Sequence, residues 1–103
     1  MKETNISKLC QYAAAECGAT VLRNNRGLFL TLDGKRRVRA GLEANGSADL
    51  IGWTKDGIFL AIEIKTPTGR VSPAQDKFIK LVKYNGGTAF VARSPEDVHR
   101  HLS

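Results

Sequence analysis

The chain has 103 residues, the usual size of one compact domain. Its 42% hydrophobic and 25% charged residues exclude a wholly disordered chain, and no run approaches the ~18 apolar residues of a membrane span. Sixteen Lys and Arg against ten Asp and Glu give +6, with a pI near 9.7; that balance fits a polyanionic partner, most simply nucleic acid, or a protein that is basic without such a partner.

The opening residues, Met1-Lys2-Glu3-Thr4-Asn5, lack the apolar stretch of a secretory signal, so a cytoplasmic protein is expected. Ile6, Leu9, Cys10, Ala13 and Cys17 recur at helical spacing, and Gly18 follows as a stop; residues ~4–17 read as an amphipathic helix. Cys10 and Cys17 sit ~10 Å apart along it, too far for a disulfide. They match no zinc spacing and read as small core residues. Short strands follow at Ala19 to Arg23 and Leu28 to Leu32, split by the turn cluster Asn24-Asn25-Arg26-Gly27. After Asp33-Gly34, the basic segment holding Arg36, Arg37 and Arg39 reads as a third strand. Residues 41–47 have loop composition.

Ala48 to Trp53 and Ile58 to Lys65 are the clearest strands. The second is apolar from Ile58 to Ile64 except at Glu63, which predicts burial on both faces and a central place in the sheet. Thr66-Pro67-Thr68-Gly69 ends it. Ser72-Pro73 with Gln75 forms a helix-start signature. Phe78, Leu81 and Val82 give that helix its inner face, and Gly86 ends it. Thr88 to Ala92 is a strand, and Ser94-Pro95 opens a last helix carrying Val98 and Leu102. The order α-β-β-β-β-β-α-β-α predicts an α/β (α+β) domain built on a central mixed sheet flanked by helices, with a parallel crossover over residues 58–92.

Three polar residues interrupt the strands: Asp49, Glu63 and Lys65. Residues two apart on a strand share a face, so Glu63 and Lys65 point the same way. The loop before them tests the arrangement. A three-residue loop Lys55-Asp56-Gly57, with Gly57 left-handed, sets Asp49 opposite Glu63. A two-residue Asp56-Gly57 turn would set Asp49 opposite Ile64 and separate the acids. Two carboxylates on one face make a hard-oxygen site for Mg²⁺ or Mn²⁺, and a neighbouring lysine can hold water or offset phosphoryl charge. The plain alternative is a structural ion pair of Lys65 with Asp49 or Glu63. Gln75 has two readings as well, a capping-box residue or a side chain directed at this site. So does Glu3, a third carboxylate or a residue that favours the helix dipole.

Gly46-Ser47-Ala48-Asp49-Leu50-Ile51-Gly52, Ala61-Ile62-Glu63-Ile64-Lys65-Thr66-Pro67 and Gly69-Arg70-Val71-Ser72-Pro73-Ala74-Gln75 resemble the virus-type replication-repair nuclease (VRR-Nuc) domain of the PD-(D/E)xK nuclease superfamily. The likeness extends to Gly86–Ala92 and back to Glu3 and Arg23-Asn24. It implies a restriction-endonuclease-like core and a single stand-alone nuclease domain over residues 1–103. It also implies a metal held by Asp49, Glu63, the Ile64 carbonyl and Glu3, with Asp49, Glu63, Lys65 and Gln75 as the catalytic set. Ala48 stands where the superfamily's name puts proline.

The resemblance further implies a Mg²⁺- or Mn²⁺-dependent DNA endonuclease, leaving 5′-phosphate and 3′-hydroxyl ends. Small domains of the family look like phage structure-selective enzymes, including four-way-junction (Holliday-junction) resolvases. Cutting two strands with one site per chain calls for a homodimer. No nucleotide cofactor or membrane partner is expected. Candidate phosphate contacts are Arg23, Arg26, Arg36, Arg37, Arg39, Arg70 and Lys77; Lys77, Lys80 and Lys83 also fit a solvated helix face. Trp53 and Tyr84 are candidates for stacking on a base, with core or interface packing favoured for Trp53. His99 and His101 read as surface or structural residues. The competing readings are a non-cleaving basic nucleic-acid-binding module of the same fold and a small interaction domain with a structural ion pair.

Overall fold

In the computed structural model, helix α1 (Glu3–Glu16) opens the chain. The backbone is described at residues 2–24, 27–30, 32–40 and 46–103, and the side chains at all of these except 27–30 and 37–40. Ile6, Cys10, Ala13 and Ala14 form the buried stripe of α1. Its end is closed by the Gly18 and Ala19 amides, which donate back to Ala15 and Ala14 at 3.0 Å each; this back-bonding satisfies carbonyls that a helix end leaves orphaned. Cys17 caps the helix and is half-buried. It is therefore not the core residue its spacing suggested, because the last apolar position of the stripe falls where the helix has already ended.

The expected strands are present, some shifted or trimmed by a residue or two at their ends: β1 (Thr20–Arg23), β2 (Gly27–Leu30), β3 (Arg37–Ala40), β4 (Leu50–Trp53), β5 (Phe59–Ile64) and β6 (Thr88–Ala92). The main sheet runs β1-β4-β5-β6. Its β1–β4 and β4–β5 pairs are antiparallel, and β5–β6 is parallel. Helix α2 (Pro73–Tyr84) makes the parallel crossover, and α3 (Pro95–Leu102) ends the chain. β2 and β3 pair with each other as a separate two-stranded sheet, where the sequence suggested one sheet throughout. Of the predicted loop at 41–47, residues 41–45 lie outside the described residues.

β5 lies between β4 and β6, the central place its largely apolar run predicted. Leu60, Ile62 and Ile64 face a core built with Ile6, Cys10, Ala13 and Ala14 of α1 and Val98 of α3. Ala61 belongs to the core on the other face, with Ala48, Ala89 and α2's Ile79 and Val82. Covering both faces removes water from every residue between Leu60 and Ile64. Each large side chain so buried contributes roughly 1.5–3 kcal/mol. Alternation along the strand then sends Glu63 to the α2 side. On α2 itself, Ile79 and Val82 are buried and Phe78 packs partly against them. Leu81 is 56% exposed, so it does not belong to the inner face: the stripe turns through 75, 78, 79 and 82.

Candidate active site

The turn between β4 and β5 settles the register. The Gly57 amide donates to Thr54 O (2.9 Å), and the Thr54 amide to Ile58 O (2.8 Å). Gly57 has φ +81°, the left-handed position that a three-residue loop centred on Asp56 requires. The ladder runs through Ile51↔Ala61 to Leu50↔Ile62 and stops one step short of Asp49 and Glu63. The chain bends at Asp49, where β4 ends, and Asp49 Oδ2 accepts the Ile64 N–H at 2.9 Å. Asp49 O accepts the Asn24 N–H at 2.8 Å. Asn24 Nδ2 in turn donates to Ala48 O (3.0 Å) and Ser47 Oγ (3.2 Å). The aspartate is thus fixed from both neighbouring strands.

Glu63 is 3% exposed, and a carboxylate so deep requires strong hydrogen-bonded or charged company. Gln75 supplies part of it, its Nε2 donating to Glu63 Oε1 at 2.9 Å. Both readings of Gln75 hold together. Its Oε1 accepts the Ser72 N–H (2.9 Å), and its own N–H donates to Ser72 Oγ (3.1 Å). The capping box orients the amide, because an oxygen pinned at the helix start leaves only the NH₂ group to face the strand. Gly46 brings the preceding loop against the same turn. At φ +80°, a Cβ there would lie 2.4 Å from the Ala74 carbonyl and 2.7 Å from Gln75 N.

Lys65 continues the β5–β6 ladder, its N–H donating to Ala92 O at 3.1 Å. Alternation then places it on the same side as Glu63. Lys65 is half-buried and makes no ion pair with Asp49 or Glu63 among the described residues. The loop after it is held by a residue the sequence reading passed over. Arg93 Nη1 donates to Thr66 O and Gly69 O at 2.6 Å each. A buried-looking strand terminus followed by Ser-Pro was the signal available, and it marks a helix start rather than an arginine clamp.

Glu3, Arg23, Asn24, Asp49 and Ile64 line one cleft of about 300 Å³, with Thr4, Ser7, Lys8 and Gln11 of α1. Gln11 Nε2 donates to Ser7 Oγ at 3.2 Å. Glu3, Ser7 and Gln11 recur every fourth residue, a polar stripe beside the apolar one that identifies the helix face turned to the site. Among the described residues, no three or more His, Cys, Asp or Glu close into a metal-holding group, so Glu3 faces Asp49 across the cleft without completing a three-acid cage. The donor set still fits a hard cation. Asp49 Oδ1 accepts no hydrogen bond among the described residues. A strand residue's N–H and C=O leave on the same side, so the Ile64 carbonyl points where its N–H does, toward Asp49. Carboxylate and carbonyl oxygens without Cys or His suit Mg²⁺ or Mn²⁺.

Arg23, Arg36, Arg70 and Lys77 are exposed, and Arg23 is at the cleft. Arg26 lies outside the described residues, as do the side chains of Arg37 and Arg39. Lys80 pairs with Asp76 at 2.8 Å, and that hydrogen bond raises the pKa of its ammonium. Tyr84 is 88% exposed and Trp53 49%, so Trp53 is not a core residue. His101 stacks on Phe90 with centroids 4.2 Å apart, a structural role. No helix among the described residues is long and apolar enough to cross a membrane.

A solved structure described as a VRR_NUC domain resembles this one with a TM-score of 0.63, covering 95% of this chain and 90% of that one at 19% identity. At that identity the likeness establishes the fold, which is of the nuclease type. The VRR-NUC domain family model matches residues 34–96, and the chain belongs to the VRR-NUC domain family. No curated protein matches it.

Proposed function

We propose that the chain is a divalent-metal-dependent endonuclease that hydrolyses DNA phosphodiester bonds, selects branched or four-way-junction DNA, and acts as a homodimer. The observation that carries this reading is the buried Glu63 at the end of the central strand, held by the Gln75 amide, with Asp49 bonded to the Ile64 amide next to it and Lys65 two residues further on. Asp49, Glu63 and the Ile64 carbonyl, with Glu3 across the cleft, are the residues to hold Mg²⁺ or Mn²⁺, which polarises a phosphoryl oxygen as a Lewis acid. Lys65 holds the attacking water and offsets the charge that develops on phosphorus-bound oxygens. Gln75 holds the Glu63 carboxylate in place through its N–H donation. A water oxygen bonds to phosphorus as the P–O3′ bond breaks, leaving a 5′-phosphate and a 3′-hydroxyl. Arg23, Arg26, Arg37, Arg39, Arg70 and Lys77 grip backbone phosphates, which makes binding a matter of shape and charge rather than base sequence. A junction needs two cuts and the described residues of one copy supply one such site, so two copies act together.

The test incubates four-way-junction DNA with the protein and Mg²⁺ or Mn²⁺, with and without chelator. Cleavage disappears with chelator and falls at least ~100-fold in Lys65→Ala, while that variant still binds the junction. Equal cleavage by Lys65→Ala and wild type would sink the assignment.

A further inference from the structure

At the opposite end of α1 from Glu3, a second set of reactive side chains meets. Cys17 Sγ lies 3.5 Å from Nδ1 of His99 on α3, and His99 Nε2 lies 3.3 Å from Glu16 Oε1. An ionised carboxylate only accepts, so Nε2 carries the hydrogen; in the neutral ring Nδ1 then presents its lone pair to the thiol. Cys17 also lines a cleft of about 190 Å³ that includes Lys55, Asp56 and His101. From this arrangement we propose that Cys17 is a reactive thiol, modified by small disulfides, with His99 as its base and Glu16 orienting that base.

In the reaction the Cys17 S–H proton passes to His99 Nδ1 as the sulfur attacks one sulfur of a disulfide RS–SR. A Cys17–SR bond forms, the S–S bond of the reagent breaks, and RS⁻ leaves. The thiol is oxidised to a mixed disulfide, and the departing half of the reagent is reduced. Glu16, Asp56 and the negative end of α1 oppose a developing thiolate. The protonated His99 ring and the Lys55 ammonium offset them. Cys10 is an internal reference: it is fully buried, and burial, with the charges of Asp97 and Glu96, pushes its thiol up to about 11.

The probe is 5,5′-dithiobis(2-nitrobenzoate) at pH 7, with the released thiolate followed by absorbance and the adduct located by mass spectrometry. The expected trace has a fast phase assigned to Cys17 and a slow one from Cys10. The fast phase is absent in Cys17→Ser and slowed about tenfold in His99→Gln, while Glu16→Gln slows it less. An unchanged Cys10 phase in all three variants shows that the fold is intact. A fast phase that survives Cys17→Ser, or that His99→Gln leaves at the wild-type rate, overturns the proposal.

Discussion

Gln75 joins a local requirement to a distant one. Its oxygen serves the helix start at Ser72, and its nitrogen serves Glu63. Truncation to Ala removes a hydrogen bond to a buried carboxylate, a loss of roughly 1.5–3 kcal/mol; urea unfolding of Gln75→Ala should show that loss together with reduced cleavage. Gln75→Glu keeps the acceptor for the Ser72 amide but sets a second carboxylate against Glu63, where two like charges favour a retained proton; its cleavage should need more metal than wild type at low pH, with the difference shrinking as pH rises. Asp97 is a simpler case. The Arg93 N–H donates to its Oδ2 at 2.8 Å and holds the carboxyl below the usual carboxylate range, helped by Arg100 and opposed by burial. A lowered folded-state value means the contribution to stability is present above the unfolded carboxylate value of ~3.9 and is lost as pH falls through the folded one. Asp97→Asn should be less stable than wild type by about 1 kcal/mol at pH 7, measured by chemical denaturation. The gap should close in strong acid, and a gap that persists there would refute the assigned cause.

At the scale of elements, the site depends on one loop and one helix meeting without a side chain between them. Gly46 and Gly57 both have positive φ, +80° and +81°, but a Cβ at Gly57 meets nothing within 4 Å while one at Gly46 meets the Ala74 carbonyl at 2.4 Å. Gly57→Ala should cost only backbone strain, roughly 1–2 kcal/mol. Gly46→Ala should cost more and should also lower cleavage, because relief of the clash moves Gln75; equal losses of stability and activity in the two variants would contradict this coupling. The β4–β5 hairpin was legible in the sequence because Lys55-Asp56-Gly57 specifies a turn length, and turn length fixes which residues oppose. The S-P-x-Q signature likewise placed the start of α2. The Gly46 contact and the Arg93 clamp were not legible, since each arises where segments distant in sequence approach and no local propensity encodes the approach; β2 and β3 were legible as strands, but not that they pair apart from the main sheet. Leu81 and Cys17 were misplaced for a related reason: a helical stripe read from apolar letters alone does not say where the helix stops or how wide its covered face is.

Across the whole molecule, the two covered faces of β5 explain why a carboxylate can be held rigidly at the end of an apolar strand. The +6 charge should govern how strongly DNA is held. With about six phosphate contacts, log K should fall with log salt at a slope near −5, and Arg23→Ala should reduce the magnitude of that slope by about one; a salt-independent affinity would remove phosphate contact as the basis of binding. The fold and its family were visible in the spacing of a few motifs, and the roles of the acids are tested by a bound cation. A crystal soaked in Mn²⁺ and measured for anomalous scattering provides that test most directly. A single strong peak is expected among the Asp49 carboxylate, the Glu63 carboxylate and the Ile64 carbonyl. A well-occupied peak elsewhere on the chain, with none between those three groups, would contradict it.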